Sequence, residues 1–348
     1  MSYTLVDPKA TQSVHSVWSF LTKDTDKIMF GHQDSLSYGI GWKYADNPQK
    51  ADSDIYRVCG DFPAFFGWDL GHIETGSTLN IDKVPFDDMR KNIQKAYTMG
   101  GIQTISWHPT NPITGGDTWD TSVRVLEKIL PGGTHHHQFT QWLDAIADFM
   151  LSLIDEKGTA IPVIFRPYHE HTGNWFWWGD ELCSREEYIN LWEFTITHLR
   201  DTRNCHNLLY CYSTDKVTSK EQYLNKYPGN EWVDILGIDV YDFPHQGVDF
   251  EKVLPECLRI LEKIGKDVQK PYALTETGNL CVEPETWWTQ SLLKLTHPFN
   301  IKWFLVWINI EQAQYYGPHP QNKSADDFVS FYKHPQTAFL KDIVIDNS

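Results

Sequence analysis

"IPVIFRPYHE", residues 161–170, decides the fold. Its first half is an almost continuous apolar run, and its last residues are polar. A run without alternation reads as a strand buried on both faces, as in a parallel sheet. The same plan recurs in "IMFGHQD" (28–34), "PAFFGWDL" (63–70), "IQTISWH" (102–108), "LLYCYST" (208–214), "DILGIDVY" (234–241), "YALTETG" (272–278) and "IKWFLVWIN" (301–309). Helical spacing of apolar residues appears between these runs. It predicts helices over 137–158, ending at Gly158, and over 184–204, where Ser184 and Glu187 have capping-box spacing. It also predicts helices over 249–267 and 324–344, with Pro255 and Pro335 at a first turn or a break. Eight strand–helix alternations without a linker predict one (β/α)8 TIM barrel, a single domain over residues 1–348. An open doubly wound sheet is the alternative. It lacks the glycine-rich phosphate loop after a first strand.

Composition narrows the function. A net charge of −16 argues against a nucleic-acid surface, which needs clustered Lys and Arg. No apolar run reaches the roughly 20 residues that span a bilayer. The start, "MSYTLVDPKATQ", does not read as a signal peptide, having no basic end followed by an apolar stretch. Six scattered cysteines form no CxxC pair and are expected to be mostly buried thiols. Fifteen Trp and sixteen Tyr exceed what a core requires. Most of these rings are expected to pack inward, but such flat faces also stack on sugar rings.

In a barrel of this kind, reactive groups gather where strands run into their C-terminal loops. Here those ends carry His32, Asp34, Trp68, Asp69, His108, His169, Glu170, Tyr241, Glu276, Trp307 and Asn309. Glu170 ends the fourth run and Glu276 the seventh, so the two carboxyls are expected to face each other across the mouth. Two such carboxyls flanking one bond are what glycoside hydrolysis needs, one to protonate the leaving oxygen and one to attack or to activate water. Arg166, an even number of residues before Glu170, is expected on the same side of its strand, where it can pair with a carboxylate and keep it ionised. No metal site is expected: His169 and His171 have HxH spacing, but no third ligand is set by spacing, and the His135–His137 run follows "PGG" in an expected loop. Acyl transfer lacks a GxSxG elbow.

The motifs "RPYHEHTGNWFWWG" (166–179) and "LTETG" (274–278), with "GHQD", "GWDLGHI", "SWHPTNP", "DVY" and "VWIN" in order along nearly the whole chain, resemble glycoside hydrolase family 26. Its best-known members are β-mannanases of a clan with catalytic glutamates on strands four and seven. The resemblance implies that Glu170 is the acid/base and Glu276 the nucleophile of a retaining double displacement. It implies His108 and His169 near the sugar being cleaved, His169 standing where most of the clan has Asn. Tyr241 would orient the nucleophile, Trp307 would form an aromatic floor, and Trp175, extended by Phe176, would line the leaving-group side. One position departs: where family members often carry Arg after the strand-eight Trp, this chain has Ile308, which removes a contact to a sugar further from the cut.

The expected function is therefore hydrolysis of β-1,4-mannosidic bonds in mannan, galactomannan or glucomannan. A mixed-linkage β-glucanase or β-1,3-xylanase on the same scaffold is the alternative, and a non-catalytic carbohydrate-binding barrel is the distant one. No cofactor is expected, the chain is expected to act as a monomer, and a polymeric substrate implies an extracytoplasmic setting.

Overall fold

In the computed structural model, which describes residues 4–345, eight parallel strands close into a barrel. They are β1 (Ile28–Gln33), β2 (Phe65–Asp69), β3 (Ile102–Trp107), β4 (Val163–Pro167), β5 (Leu208–Asp215), β6 (Ile235–Asp239), β7 (Tyr272–Thr277) and β8 (Trp303–Val306). Each neighbours the next in sequence, and β8 closes the ring on β1 with Met29 opposite Trp303 and His32 opposite Val306. A two-residue strand, Thr337–Ala338, adds to the start of β1. The fold is the single (β/α)8 barrel expected from the alternation.

Two apolar cores explain the unbroken strand runs. One lies inside the barrel at the end where the strands begin. There Phe65 stacks on Trp303 at 4.5 Å, beside Ile164, Leu209 and Ile235. The helix α1 (Gln12–Thr22) covers this end with Val14, Val17 and Leu21. The other core lies between the strands and the surrounding helices: α2 (Asp54–Cys59), α3 (Phe86–Thr98), α4 (His136–Leu151), α5 (Arg185–Thr197), α6 (Lys220–Leu224), α7 (Phe250–Val268) and α8 (Ala325–Tyr332). Eight of the fifteen tryptophans are under 2% exposed, so much of the aromatic excess is packing. With apolar side chains filling the lower barrel, polar groups concentrate at the strands' C-terminal ends.

β7 is irregular in a way that matters. Leu274 lies opposite Ile238 and Glu276 opposite Asp239, so β7 carries one extra residue, Thr275, between two registered pairs. Its pairing with β8 shifts too, with Leu274 opposite Phe304 and Thr277 opposite Val306. Such a bulge re-aims the side chains beside it. The Thr275 hydroxyl donates to Asp239 Oδ1 at 2.6 Å. Gly237 makes room for it, since a Cβ there would lie 2.5 Å from Thr275 Oγ1.

The helices follow local chemistry, with four departures from the periodicity. α5 begins as its spacing predicts: Ser184 Oγ accepts from the Glu187 N–H, and Glu187 Oε2 accepts from the Ser184 N–H. The helix expected over 137–158 stops at Leu151, because Asp155 Oδ1 accepts from the N–H groups of Lys157 and Thr159 and folds that segment into a turn. The His135–His137 run is not a loop but opens α4, with His136 Nδ1 2.9 Å from the Ile129 carbonyl. Pro255 sits neither in the first turn of α7 nor at a break. It lies inside the helix, and Glu251, whose carbonyl loses its partner, is exposed to water. The helix expected over 324–344 is shorter, ending at Tyr332 before Pro335.

Candidate active site

A cavity of about 380 Å³ opens where the strands end, lined among others by His108, Trp119, His169, Glu170, Trp175, Phe176, Tyr241, Glu276, Trp307 and Tyr316. All the residues given a role from the sequence line it except Arg166, which lies beneath; the other strand-end residues His32, Asp34, Trp68, Asp69 and Asn309 are buried and do not line it. A larger cavity of about 780 Å³ lies at the opposite end, between α1 and the chain entering β5, β6 and β7. Chemistry favours the smaller one. In the larger, Asp201 is already committed to Arg200 at 2.8 Å. In the smaller, one carboxylate oxygen each from Glu170, Asp239 and Glu276 lie within 4.8 Å of one another.

Glu276 is held by two side chains. Its Oε1 accepts from Arg166 Nη2, and its Oε2 accepts from the Tyr241 hydroxyl at 2.8 Å. Arg166, 2% exposed, also donates through Nη1 to Asp239 Oδ2 at 2.8 Å and Ser213 Oγ at 3.1 Å. One guanidinium thus joins β4, β5, β6 and β7 at the barrel centre. The expectation that Arg166 pairs with a carboxylate is met at Asp239 and Glu276, not at Glu170. The even spacing does not carry past Pro167, because β4 ends there and both Tyr168 and Glu170 have left-handed backbones, with φ of 50° and 52°. A non-glycine residue in that region is strained, and such strain clusters at functional sites. The guanidinium already spans Asp239 and Glu276, so two of the three clustered carboxylates have their positive partner in the chain itself.

Glu170 sits in a different environment. Burial, followed by the charges of Glu276, Asp239 and Asp215, pushes its pKa well above the usual carboxylate range. The Trp175 indole N–H donates to Glu170 Oε2 at 2.7 Å and pulls the other way. Trp175 is 37% exposed, and Lys216, paired with Asp215, lies 5.8 Å from its ring centre. Phe176 is buried, stacked on Trp178 at 4.6 Å and edge-on to both His108 and His169. Trp177 and Trp178, unassigned from sequence, are core. Their indole N–H groups donate to the carbonyls of Pro109 and His169.

The two histidines are linked. His108 Nδ1 lies 2.7 Å from Asp69 Oδ2, His108 Nε2 lies 3.1 Å from His169 Nε2, and His169 Nε2 lies 3.9 Å from Glu276 Oε1. Burial lowers the His108 pKa, but Asp69 outweighs it and the net shift is upward. Burial, with Arg166 and His108 adding, takes His169 far below the ordinary range. Trp307 lies 6.2 Å from the His108 ring, and the next residue, Ile308, is buried and offers no polar group to the cleft. Two contributors, Asp239 and Trp119, were not named from the sequence, and Asp69 was named there only as a strand-end group. Asp69 and Asp239 are the acids of "GWDLGHI" and "DVY", so a signal for them existed. Trp119, half exposed and 5.9 Å from the His108 ring, sits in a long loop with no marker.

Known proteins resemble this chain over most of its length. The profile described as "Glycosyl hydrolase family 26" matches residues 6–260. A curated "Mannan endo-1,4-beta-mannosidase" from Bifidobacterium adolescentis is 35% identical over 288 residues, which is 80% of this chain and 28% of that protein. The chain thus spans less than a third of that relative's length. One of the same name from Bacillus subtilis strain 168 is 28% identical over 285 residues, 78% of this chain and 73% of that one. Among solved structures, a "GH26 beta-mannanase" from Bacteroides ovatus superposes with a TM-score of 0.92 and 41% identity, covering 96% of this chain and 97% of that one. The catalytic domain of a "GH26 Endo-beta-1,4-mannanase" from Bacillus sp. JAMB-750 gives 0.90 at 32% identity, covering 98% and 95%. The profile spans well over half of this sequence, and on that ground the chain belongs to glycosyl hydrolase family 26.

Proposed function

We propose that this chain is a retaining β-mannanase that cleaves β-1,4-mannosidic bonds by double displacement, as one catalytic domain acting as a monomer outside the cytoplasm. The observation that carries the reaction is the pairing of Glu170 and Glu276, with carboxylate oxygens within 4.8 Å. Retaining glycosidases place their two carboxyls about 5–5.5 Å apart, whereas inverting ones leave about 6.5–9.5 Å for a water. The names of the mannosidase relatives and mannanase structures support the substrate.

The two carboxyls differ in the way their roles demand. Glu276 is fixed by hydrogen bonds from Arg166 and Tyr241, as a nucleophile attacking the anomeric carbon must be. Glu170, which burial and like charge make hold its proton more tightly, gives it to the leaving oxygen. It then takes a proton from the water that releases the glycosyl–enzyme. Trp175 and Phe176 receive the leaving sugar, and Trp307 underlies the sugar being cleaved. His169, supported by His108, faces the 2-hydroxyl that is axial in mannose and equatorial in glucose.

The test is hydrolysis of β-1,4-mannan, β-1,4-glucan and xylan side by side, with NMR of the first product. Mannan is expected to be cut at least ~100-fold faster in kcat/KM than matched glucan, about 2.7 kcal/mol of transition-state preference. The first product is expected to keep the β configuration. Equal rates on glucan would make a glucanase the better reading, and an α product would replace double displacement by inversion.

A further inference from the structure

We propose that Asp69 is a positioning residue: acting through His108, it fixes which ring nitrogen of His169 carries the proton. The inference rests on the reading of His169 as a sugar-facing residue, and it concerns how that ring is prepared.

Two imidazole nitrogens 3.1 Å apart, His108 Nε2 and His169 Nε2, need one proton between them. Asp69 decides its owner. This carboxylate has no exposure and is surrounded by donors: Ser106 Oγ at 2.7 Å, the Gly71 N–H at 2.7 Å and His108 Nδ1 at 2.7 Å. It stays ionised and demands a proton on His108 Nδ1. The charged groups around the pair then place the shared proton. His108 faces Asp69 at the end of β2, Asp82 in the following loop and Glu276 on β7, all acidic. His169 faces Arg166 on β4, His108 itself and His171, none of them acidic apart from Glu276 at 3.9 Å. The proton therefore resides on His108 Nε2, and His169 Nε2 accepts.

Two consequences follow for the neighbouring carboxylate and for the ring. With its Nε2 lone pair engaged, His169 donates nothing to Glu276, whose oxygens are left to Arg166 and Tyr241. The single N–H of His169 is then at Nδ1, a buried atom with no protein partner. Without the Asp69 charge, His108 loses its second proton. His169 becomes free to carry its proton on Nε2, pointing towards the nucleophile.

The test is 15N NMR of the imidazoles in the full chain, without substrate, from pH 5 to 9. In the wild type, His108 is expected to be protonated on both nitrogens through neutral pH, and His169 on Nδ1 alone. Finding His169 protonated on Nε2 overturns the proposal. In Asp69→Asn, His108 is expected to become neutral and His169 to gain Nε2–H. In the same variant kcat on mannan is expected to fall by about 10-fold or more, with a smaller change in KM. A variant that folds, keeps both wild-type protonation patterns and loses activity also overturns it, because Asp69 would then be structural only. If Asp69→Asn does not fold, the wild-type spectrum still decides the tautomer. The spectra need no substrate, so a failure of the mannanase reading would leave them unchanged and is read separately, from the hydrolysis assay.

Discussion

At the scale of single residues, the site turns on two glutamates given opposite chemistry by their surroundings. Glu276→Ala removes the proposed nucleophile and with it a covalent step. Its kcat on mannan is expected to drop by about 10³-fold or more, and a variant retaining a tenth of wild-type turnover would remove Glu276 from that role. Glu170→Ala should cripple mannan hydrolysis while sparing the first step on an aryl mannoside, whose leaving group needs no proton. Added azide should restore its second step, and equal losses on both substrates without azide rescue would count against an acid/base. Trp175 gives a finer test. Its indole N–H donates to Glu170 and favours the carboxylate form. Trp175→Phe keeps a ring but deletes that donor, so the Glu170 pKa should rise further. A general acid must be protonated, so the basic limb of the kcat/KM profile should move to higher pH. A limb that stays in place, or moves down, would mean that the indole does not tune this carboxyl.

At the scale of elements, what the sequence discloses is what periodicity and composition can carry. All eight strands were legible because burial on both faces leaves an apolar signature, and both glutamates because they end such runs. Three features that aim the site were not. The extra residue at Thr275 in β7 leaves no mark in the alternation, yet it sits one residue before Glu276. The left-handed backbones at Tyr168 and Glu170 broke the parity argument for Arg166, because parity holds only while a strand lasts. The dual attachment of Arg166 to Asp239 and Glu276 joins residues 73 and 110 positions away, beyond any local pattern. The segment after β4 also holds His171, fully buried between Tyr188 and Tyr212 at 4.4 and 4.9 Å, with neither ring nitrogen partnered. Burial, then Lys226, holds its pKa well below the ordinary histidine value. The unfolded chain therefore binds a proton near pH 6.5 that the folded chain refuses, and stability is lost as pH falls below that point. His171→Phe should fill the same space without that liability. Below pH 6.5 its stability should fall less steeply than that of the wild type, by up to about 1.4 kcal/mol per pH unit. Urea unfolding at pH 7, 6 and 5 measures this, and parallel slopes would show that His171 is not the titrating group.

At the scale of the whole molecule, the barrel is tied at its centre by the same charge that serves the site. Arg166 reaches from β4 to side chains of β5, β6 and β7, that is, half of the ring. It is the positive charge between two buried carboxylates, Asp239 and Glu276. Deleting one partner of a buried ionic cluster typically costs about 3–5 kcal/mol, because the remaining charges stay desolvated and unpaired. Arg166→Met keeps much of the side-chain volume and removes the charge. The cost should depend on pH, with a definite sign. Burial raises Asp239 to about 7 even against the pull of Arg166. Without the guanidinium, Asp239 should hold its proton higher still, well above its value in the unfolded chain. Between the unfolded and folded pKa values, the folded variant binds more protons than the unfolded one, so its stability falls as pH rises through that interval. The deficit against wild type should therefore be largest at about pH 8 and shrink towards pH 5, where protonation of Asp239 removes one of the unpaired charges. Activity should not return with the stability, because Glu276 has still lost the guanidinium that fixes it. Denaturant unfolding and mannan hydrolysis, measured on Arg166→Met across that range, separate the two. A deficit constant with pH would mean that Arg166 acts through packing alone, and recovery of activity at low pH would mean that Arg166 is not what holds the nucleophile in place.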